Sequence, residues 1–196
     1  NASTDQTQRI LREIASQDKN FKVIINSRNF GVNQSGNNAF RQASGDAVVL
    51  MVSDLQDPPS LIPEFIEKWE QGFKVVMAVK NQSKESPLMY LFRSFYYTAL
   101  EKMSDVKLIQ HFTGFGLYDK QVLEIYKSLN DPRPYFRGLI SDIGFTPAMI
   151  YFTQPKRKHG KSKSNFLYLY DEAMLGITSY TKLPLRLATI VGFITA

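Results

Sequence analysis

A chain of 196 residues that is 43% hydrophobic and 21% charged is long enough for one domain with a substantial core and too apolar for a disordered one. The lack of cysteine excludes a disulfide framework, a thiolate metal site and a cysteine nucleophile, and two histidines, His111 and His159, are too few for a multi-histidine zinc centre. A net charge of +6 predicts an anionic partner: nucleotide, phospholipid surface or nucleic acid.

In chain order, Thr4 to Ser16 reads as a helix with Ile10, Leu11, Ile14 and Ala15 in one apolar stripe, and Asp5 near its start suits the helix dipole. Phe21 to Ile25 reads as a short buried strand. A loop at Asn29-Phe30-Gly31 leads into a helix over Val32 to Ala43. The apolar run Ala47 to Val52 is the next strand. It ends in Asp54, Gln56 and Asp57 and is stopped by Pro58 and Pro59. Pro58 to Gln71 is a helix with Leu61, Ile62, Phe65, Ile66 and Trp69 inward and Gly72 as its stop. Lys74 to Val79 is a third strand, and Leu88 to Met103 a long aromatic-rich helix. Phe112 to Tyr118 is glycine-broken, either a strand or a bent loop. Helices over Lys120 to Leu129 and Phe136 to Ile143 and a last strand over Ala148 to Phe152 follow. The alternation of strands with helices predicts a mostly parallel sheet flanked by helices.

Past the last strand, Lys156, Arg157, Lys158, Lys161 and Lys163 crowd into a basic loop, 154–165, the one linker of the chain. Asn165 to Thr178 reads as an amphipathic helix. The apolar run Leu183 to Ala196 is shorter than the roughly 20 residues that span a bilayer. It is either the start of a transmembrane helix or a final helix packed on the domain.

Acids at the carboxyl end of a buried strand stand where open α/β sheets bind ligands. The carboxylates Asp54 and Asp57, three residues apart with the Gln56 carboxamide between them, offer hard oxygens suited to a divalent cation that carries phosphates; the alternative is a solvated acidic turn ahead of the next helix. Asp57 either assists there or caps the helix that opens at Pro58.

Ser27-Arg28-Asn29-Phe30-Gly31, Asp54-Leu55-Gln56-Asp57-Pro58-Pro59 and Arg157-Lys158-His159-Gly160-Lys161-Ser162-Lys163 occur in the order found in the family 2 glycosyltransferases. Asn1-Ala2-Ser3-Thr4-Asp5 is similar to the end of that family's Asp-Asp-Gly-Ser-Thr-Asp nucleotide motif, and Leu183-Pro184-Leu185-Arg186 to the entry of its membrane helices. More narrowly, the chain resembles the polyprenyl-phosphate glycosyltransferases, which include dolichyl-phosphate mannose synthase and the bacterial undecaprenyl-phosphate sugar transferases.

This resemblance implies a GT-A (Rossmann-like) fold. Residues 1–153 would form a catalytic domain lacking its first strand, 154–182 a basic loop and an amphipathic membrane-interface helix, and 183–196 the start of a transmembrane helix. The native protein is accordingly expected to be longer at both ends. The implied reaction moves a sugar from a UDP- or GDP-linked donor to a polyprenyl phosphate at the membrane. It would be assisted by Mg²⁺ or Mn²⁺, with the catalytic domain cytoplasmic, no nucleic-acid partner, and a homo-oligomer left open.

On the same resemblance Asp54 and Gln56 are the metal ligands, and Asp54, Asp57, Arg157 and Lys163 the catalytic group. Asn1, Asp5, Arg28, Asn29, Lys80 and Ser162 are candidate contacts to the nucleotide sugar and its phosphates. Two departures stand out. Val52 stands where relatives often carry an acid, and Thr113-Gly114-Phe115-Gly116-Leu117 replaces a Gly-Asp-Phe-Arg-Leu pattern. Alternative readings are a family 2 enzyme with a saccharide acceptor, a degenerate non-catalytic relative, and a basic nucleic-acid-binding module. The last is disfavoured because the charge concentrates in one loop beside an apolar tail.

Overall fold

The computed structural model describes residues 1–81, 106, 109–155, 157 and 166–195. The helix expected over Leu88 to Met103, with Arg93, lies outside the described residues, as do Ser162 and Lys163.

The elements are α1 (Thr7–Gln17), α2 (Val32–Gln42), β1 (Ala47–Leu50), a 3-10 turn (Pro59–Leu61), α3 (Ile62–Glu70), β2 (Val75–Lys80), β3 (Phe112–Asp119), α4 (Lys120–Ser128), α5 (Phe136–Asp142), β4 (Ala148–Phe152), α6 (Phe166–Tyr180) and α7 (Leu183–Thr195). The four strands form one sheet in the order β1-β3-β2-β4. β3 runs antiparallel to both β1 and β2, and β4 pairs parallel with β2, so the sheet is mixed rather than mostly parallel. The glycine-broken run 112–118 is thus a full strand, inserted in reverse between β1 and β2. Gly116 makes that insertion possible: a Cβ there would stand 2.2 Å from the Val76 carbonyl oxygen.

Strand alternation divides the core between the two faces of the sheet. Val75, Met77 and Val79 face α2, α4 and α5, where Phe40, Tyr118, Tyr126 and Phe136 pack edge to face. Val76 and Ala78 face the other way, with Phe65, Phe115 and Phe152. In α3 the stripe narrows, because Phe65 is fully buried while Ile66 points outward. Gly72, at φ +102°, ends this helix with its N–H on the Trp69 carbonyl at 2.8 Å, the left-handed stop expected of glycine.

Two further expectations are overturned. Phe21 to Ile25 is not a strand: no ladder pairs with it among the described residues, and Phe21, Ile24 and Ile25 are exposed. The α1 stripe is not a core face either, with Ile10 and Ile14 exposed and no α1 residue buried. Apolar periodicity needs a covering layer to become core, and no described element supplies one here. No helix among the described residues is long and apolar enough to cross a membrane, in keeping with the short length of the last apolar run. α7 nonetheless exposes Leu185, Leu187, Ile190, Val191, Phe193 and Ile194, so it is not the packed final helix of the alternative reading.

Candidate active site

β1, β2 and β4 all point one way and β3 the other. One edge of the sheet therefore gathers the residues that follow β1, β2 and β4 together with the first residues of β3. This is the ligand edge of an open α/β sheet.

After β1 the chain folds into a tight turn. Asp54 Oδ1 accepts the Gln56 backbone N–H at 3.1 Å, and Leu55 is held at φ +62°, a conformation that branched side chains rarely adopt. Asp57 is 4% exposed. It does not cap the following helix, whose N-cap carries no side-chain bond; its Oδ2 accepts the Val52 N–H at 3.1 Å instead and ties the turn shut. Burial pushes the Asp57 carboxyl above its ordinary value, opposed by the Val52 N–H and by Lys80, with Asp54 adding to the rise.

After β4 the chain brings Arg157 onto this turn. Arg157 Nη2 donates to Asp54 Oδ2 at 2.8 Å and to Gln56 Oε1 at 3.5 Å, while Gln56 Nε2 donates to the Pro155 carbonyl at 3.4 Å. Two oxygens thus converge on a single cationic nitrogen. That convergence fits Asp54 and Gln56 as ligands of a divalent cation, which needs only one or two protein oxygens when phosphates and waters complete its shell. Among the described residues no group of three acidic or histidine side chains could hold a metal. The partly exposed Asp54–Arg157 pair holds by roughly 0–1 kcal/mol, little enough for a cation or a diphosphate to displace.

Lys80 ends β2 and exerts its charge on Asp57. Asn1 and Asn29 form a separate polar cluster. Asn1 Nδ2 donates to Asn29 Oδ1 at 2.8 Å, Asn1 Oδ1 accepts the Phe30 N–H at 2.9 Å, and Asn29 Oδ1 accepts the Gly31 N–H at 2.9 Å. Arg28 lies over the Phe30 ring at 4.0 Å. This cluster shapes the turn into α2. Asp5 accepts the Thr7 N–H at 3.0 Å at the start of α1, a local bond.

A cavity of about 390 Å³ opens beside Asp57. Its walls include Asn33 from α2, Gly114 from β3, Phe136 and Arg137 from α5, and Glu172 from α6. Gly114, at φ +101°, gives the strand a conformation only glycine adopts readily, and its missing side chain keeps the cavity open toward Phe136 and Leu50. Asn33 Nδ2 donates to Glu172 Oε1 across the cavity wall. Burial pushes the Glu172 carboxyl up, against Arg137 and Asn33, with Asp171 adding to the rise. None of Asn33, Arg137 and Glu172 is singled out by the sequence. The available signal was a pair of acids, Asp171 and Glu172, in an otherwise apolar helical run.

The model of the family described as "Glycosyl transferase family 2" matches residues 1–126. The chain belongs to glycosyl transferase family 2. Among curated relatives it is 35% identical over 193 residues to the uncharacterized glycosyltransferase YkcC of Bacillus subtilis, covering 98% of this chain and 60% of that protein. It is 32% identical over 195 residues to the bactoprenol glucosyl transferase of Shigella phage SfV, covering 99% and 64%. A prophage bactoprenol glucosyl transferase homolog of Escherichia coli is 30% identical over the same length. The chain thus spans about three fifths of the length of these relatives. Family membership agrees with the α/β fold of a mixed sheet flanked by helices.

Proposed function

We propose that this chain belongs to an enzyme that transfers a sugar from a nucleotide-sugar donor to a polyprenyl phosphate of the undecaprenyl type. The observation that carries the reading is the convergence of Asp54, Gln56 and Arg157 at the carboxyl edge of the sheet in a family 2 chain. Relatives named bactoprenol glucosyl transferase support a lipid acceptor. The exposed apolar surface of α7 and the basic loop support work at a membrane surface.

In this reaction an oxygen of the lipid phosphate forms a bond to the anomeric carbon of the sugar. The bond from that carbon to the diphosphate oxygen breaks, and the nucleoside diphosphate leaves with the electron pair. A phosphate monoester has its second pKa near about 6 and is largely ionised at neutral pH, so no side chain need remove a proton. The demand on the protein is positioning and charge compensation. Mg²⁺ or Mn²⁺, held by Asp54 and Gln56, would neutralise the leaving diphosphate. Arg157, released from Asp54, is a planar fork for phosphate oxygens, and Lys163 and Ser162 on the same loop are further phosphate donors. Lys80 contributes positive charge at the same edge, and Asp57 holds the turn that presents Asp54.

The test is transfer of radiolabelled sugar from a panel of nucleotide sugars to undecaprenyl phosphate by the full-length protein in detergent or vesicles. Transfer that requires a divalent cation and falls in Asp54→Asn is expected. Nucleotide binding without transfer from any donor would overturn the reading and favour a non-catalytic relative.

A further inference from the structure

The proposed reaction accounts for the acid turn and the basic loop but leaves the cavity beside them unused. Its volume, about 390 Å³, lies toward the small end of the roughly 300–1,000 Å³ range of ligand pockets. It suits one compact group and not a whole nucleotide sugar together with a lipid. One end meets the acid turn at Val52 and Asp57, next to the oxygens proposed to carry the diphosphate. Another wall is α6, which contributes Leu169 and Glu172.

The chemistry of the walls selects among the groups that must come to this edge. The two carboxylates that line it, Asp57 and Glu172, repel a phosphate. A carboxylate accepts about four hydrogen bonds, and Asn33 engages Glu172 through one oxygen, Oε1. Glu172 therefore keeps acceptor capacity for hydroxyl donors. The carboxamide of Asn33 and the guanidinium of Arg137 add donors, and Phe136 offers an aromatic surface for an apolar ring face. Acceptors and donors around an aromatic wall describe a neutral, hydroxyl-rich ring.

Resting on the donor assignment above, we infer that this cavity holds the sugar ring of the donor and that Glu172, carried by α6, accepts hydrogen bonds from its hydroxyls and so sets which sugar is transferred. Asn33 and Arg137 fix the carboxylate: Asn33 bonds it directly, and the charge of Arg137 acts on it. The helix that follows the basic loop thereby contributes to donor choice as well as to any contact with a surface.

The experiment compares full-length wild type with Glu172→Gln, Glu172→Ala and Asp171→Asn, using donors that differ only in the configuration of one ring hydroxyl. Gln keeps an acceptor for Asn33 but loses the charge that strengthens bonds to sugar hydroxyls. Asp171→Asn removes one negative charge from the same helix at an exposed position. Glu172→Gln is expected to raise the KM for the preferred donor about tenfold or more and to narrow the preference between epimers. Inhibition by the free nucleoside diphosphate should stay unchanged, as should the melting temperature. Asp171→Asn should behave as wild type. Wild-type transfer with an unaltered donor KM and unaltered epimer preference in Glu172→Gln would overturn this inference while leaving the proposed function standing. A loss confined to stability in Glu172→Ala, with Glu172→Gln normal, would make the Asn33–Glu172 bond a structural tie only. Absence of transfer by the wild type from every donor would remove the proposed function and this inference together.

Discussion

Asp57 and Asp119 stand at opposite edges of one sheet, are about equally buried at 4% and 6% exposed, and do opposite things. Asp119 ends β3 and caps α4. Its Oδ1 accepts the Gln121 N–H at 2.9 Å, and its Oδ2 accepts Trp69 Nε1 at 2.7 Å and Lys74 Nζ at 3.2 Å. Burial would push this carboxyl up, but the Trp69, Gln121 and Lys74 donors outweigh it and hold it below the ordinary carboxylate range. Asp57 has one backbone donor, sits near Asp54, and is pushed up. A buried acid with its lone pairs matched is a structural bolt. A buried acid with one backbone donor beside a second acid has the perturbed environment common at functional sites.

The largest expected effect separates chemistry from stability. Asp54→Ala should lower kcat/KM for transfer by about 10³-fold, because it would remove a ligand of the proposed charge-compensating cation, and leave the melting temperature within a degree or two. Equal loss of folding and activity would break the distinction between the two edges. At the other edge, Asp119→Ala should cost about 2–3 kcal/mol by urea denaturation, from a lost helix cap and charged hydrogen bonds. The folded molecules should retain their donor KM.

The pH dependence sharpens the contrast. The Asp119 carboxyl is depressed in the folded state, so the stability it contributes is present above its unfolded value near 3.8 and is lost as pH falls through the lower folded value. The stability gap between wild type and Asp119→Asn should be full at pH 6 and shrink below about pH 4 in urea titrations. A gap that stays constant with pH would mean that the charge of Asp119 is unimportant. Neutralising the opposite acid should do little harm: Asp57→Asn keeps an acceptor for the Val52 N–H and removes a buried charge. Its stability should be unchanged or higher by up to about 1 kcal/mol. Smallest of all, Arg157→Ala should alter stability by less than about 1 kcal/mol, since its pair with Asp54 is partly exposed, yet slow lipid-phosphate transfer at least tenfold.

Much of the architecture was legible because it is local. The strand at Ala47, the proline-led helix ended by Gly72, and the β–α order follow from apolar runs and from the dihedral limits of proline and glycine. The reversal of β3 was not legible, since a run such as Phe112 to Asp119 carries no mark of the direction in which it will pair. Nor was the exposure of Phe21 to Ile25 or of α1, because periodicity reports a face suited to burial and not whether a partner covers it.

The same division holds at the site. Sequence alone placed Asp54, Gln56 and Asp57 at a strand end and Arg157 in a basic loop, because those roles rest on residue type and short spacing. It could not bring Arg157 onto Asp54 across 103 positions of chain, nor Asn33 onto Glu172 across 139. Those meetings depend on three strands pointing one way and a fourth reversed between two of them, a choice made by whole-sheet packing. Only that choice turned scattered polar residues into a turn where Asp54, Gln56 and Arg157 meet and a cavity beside it.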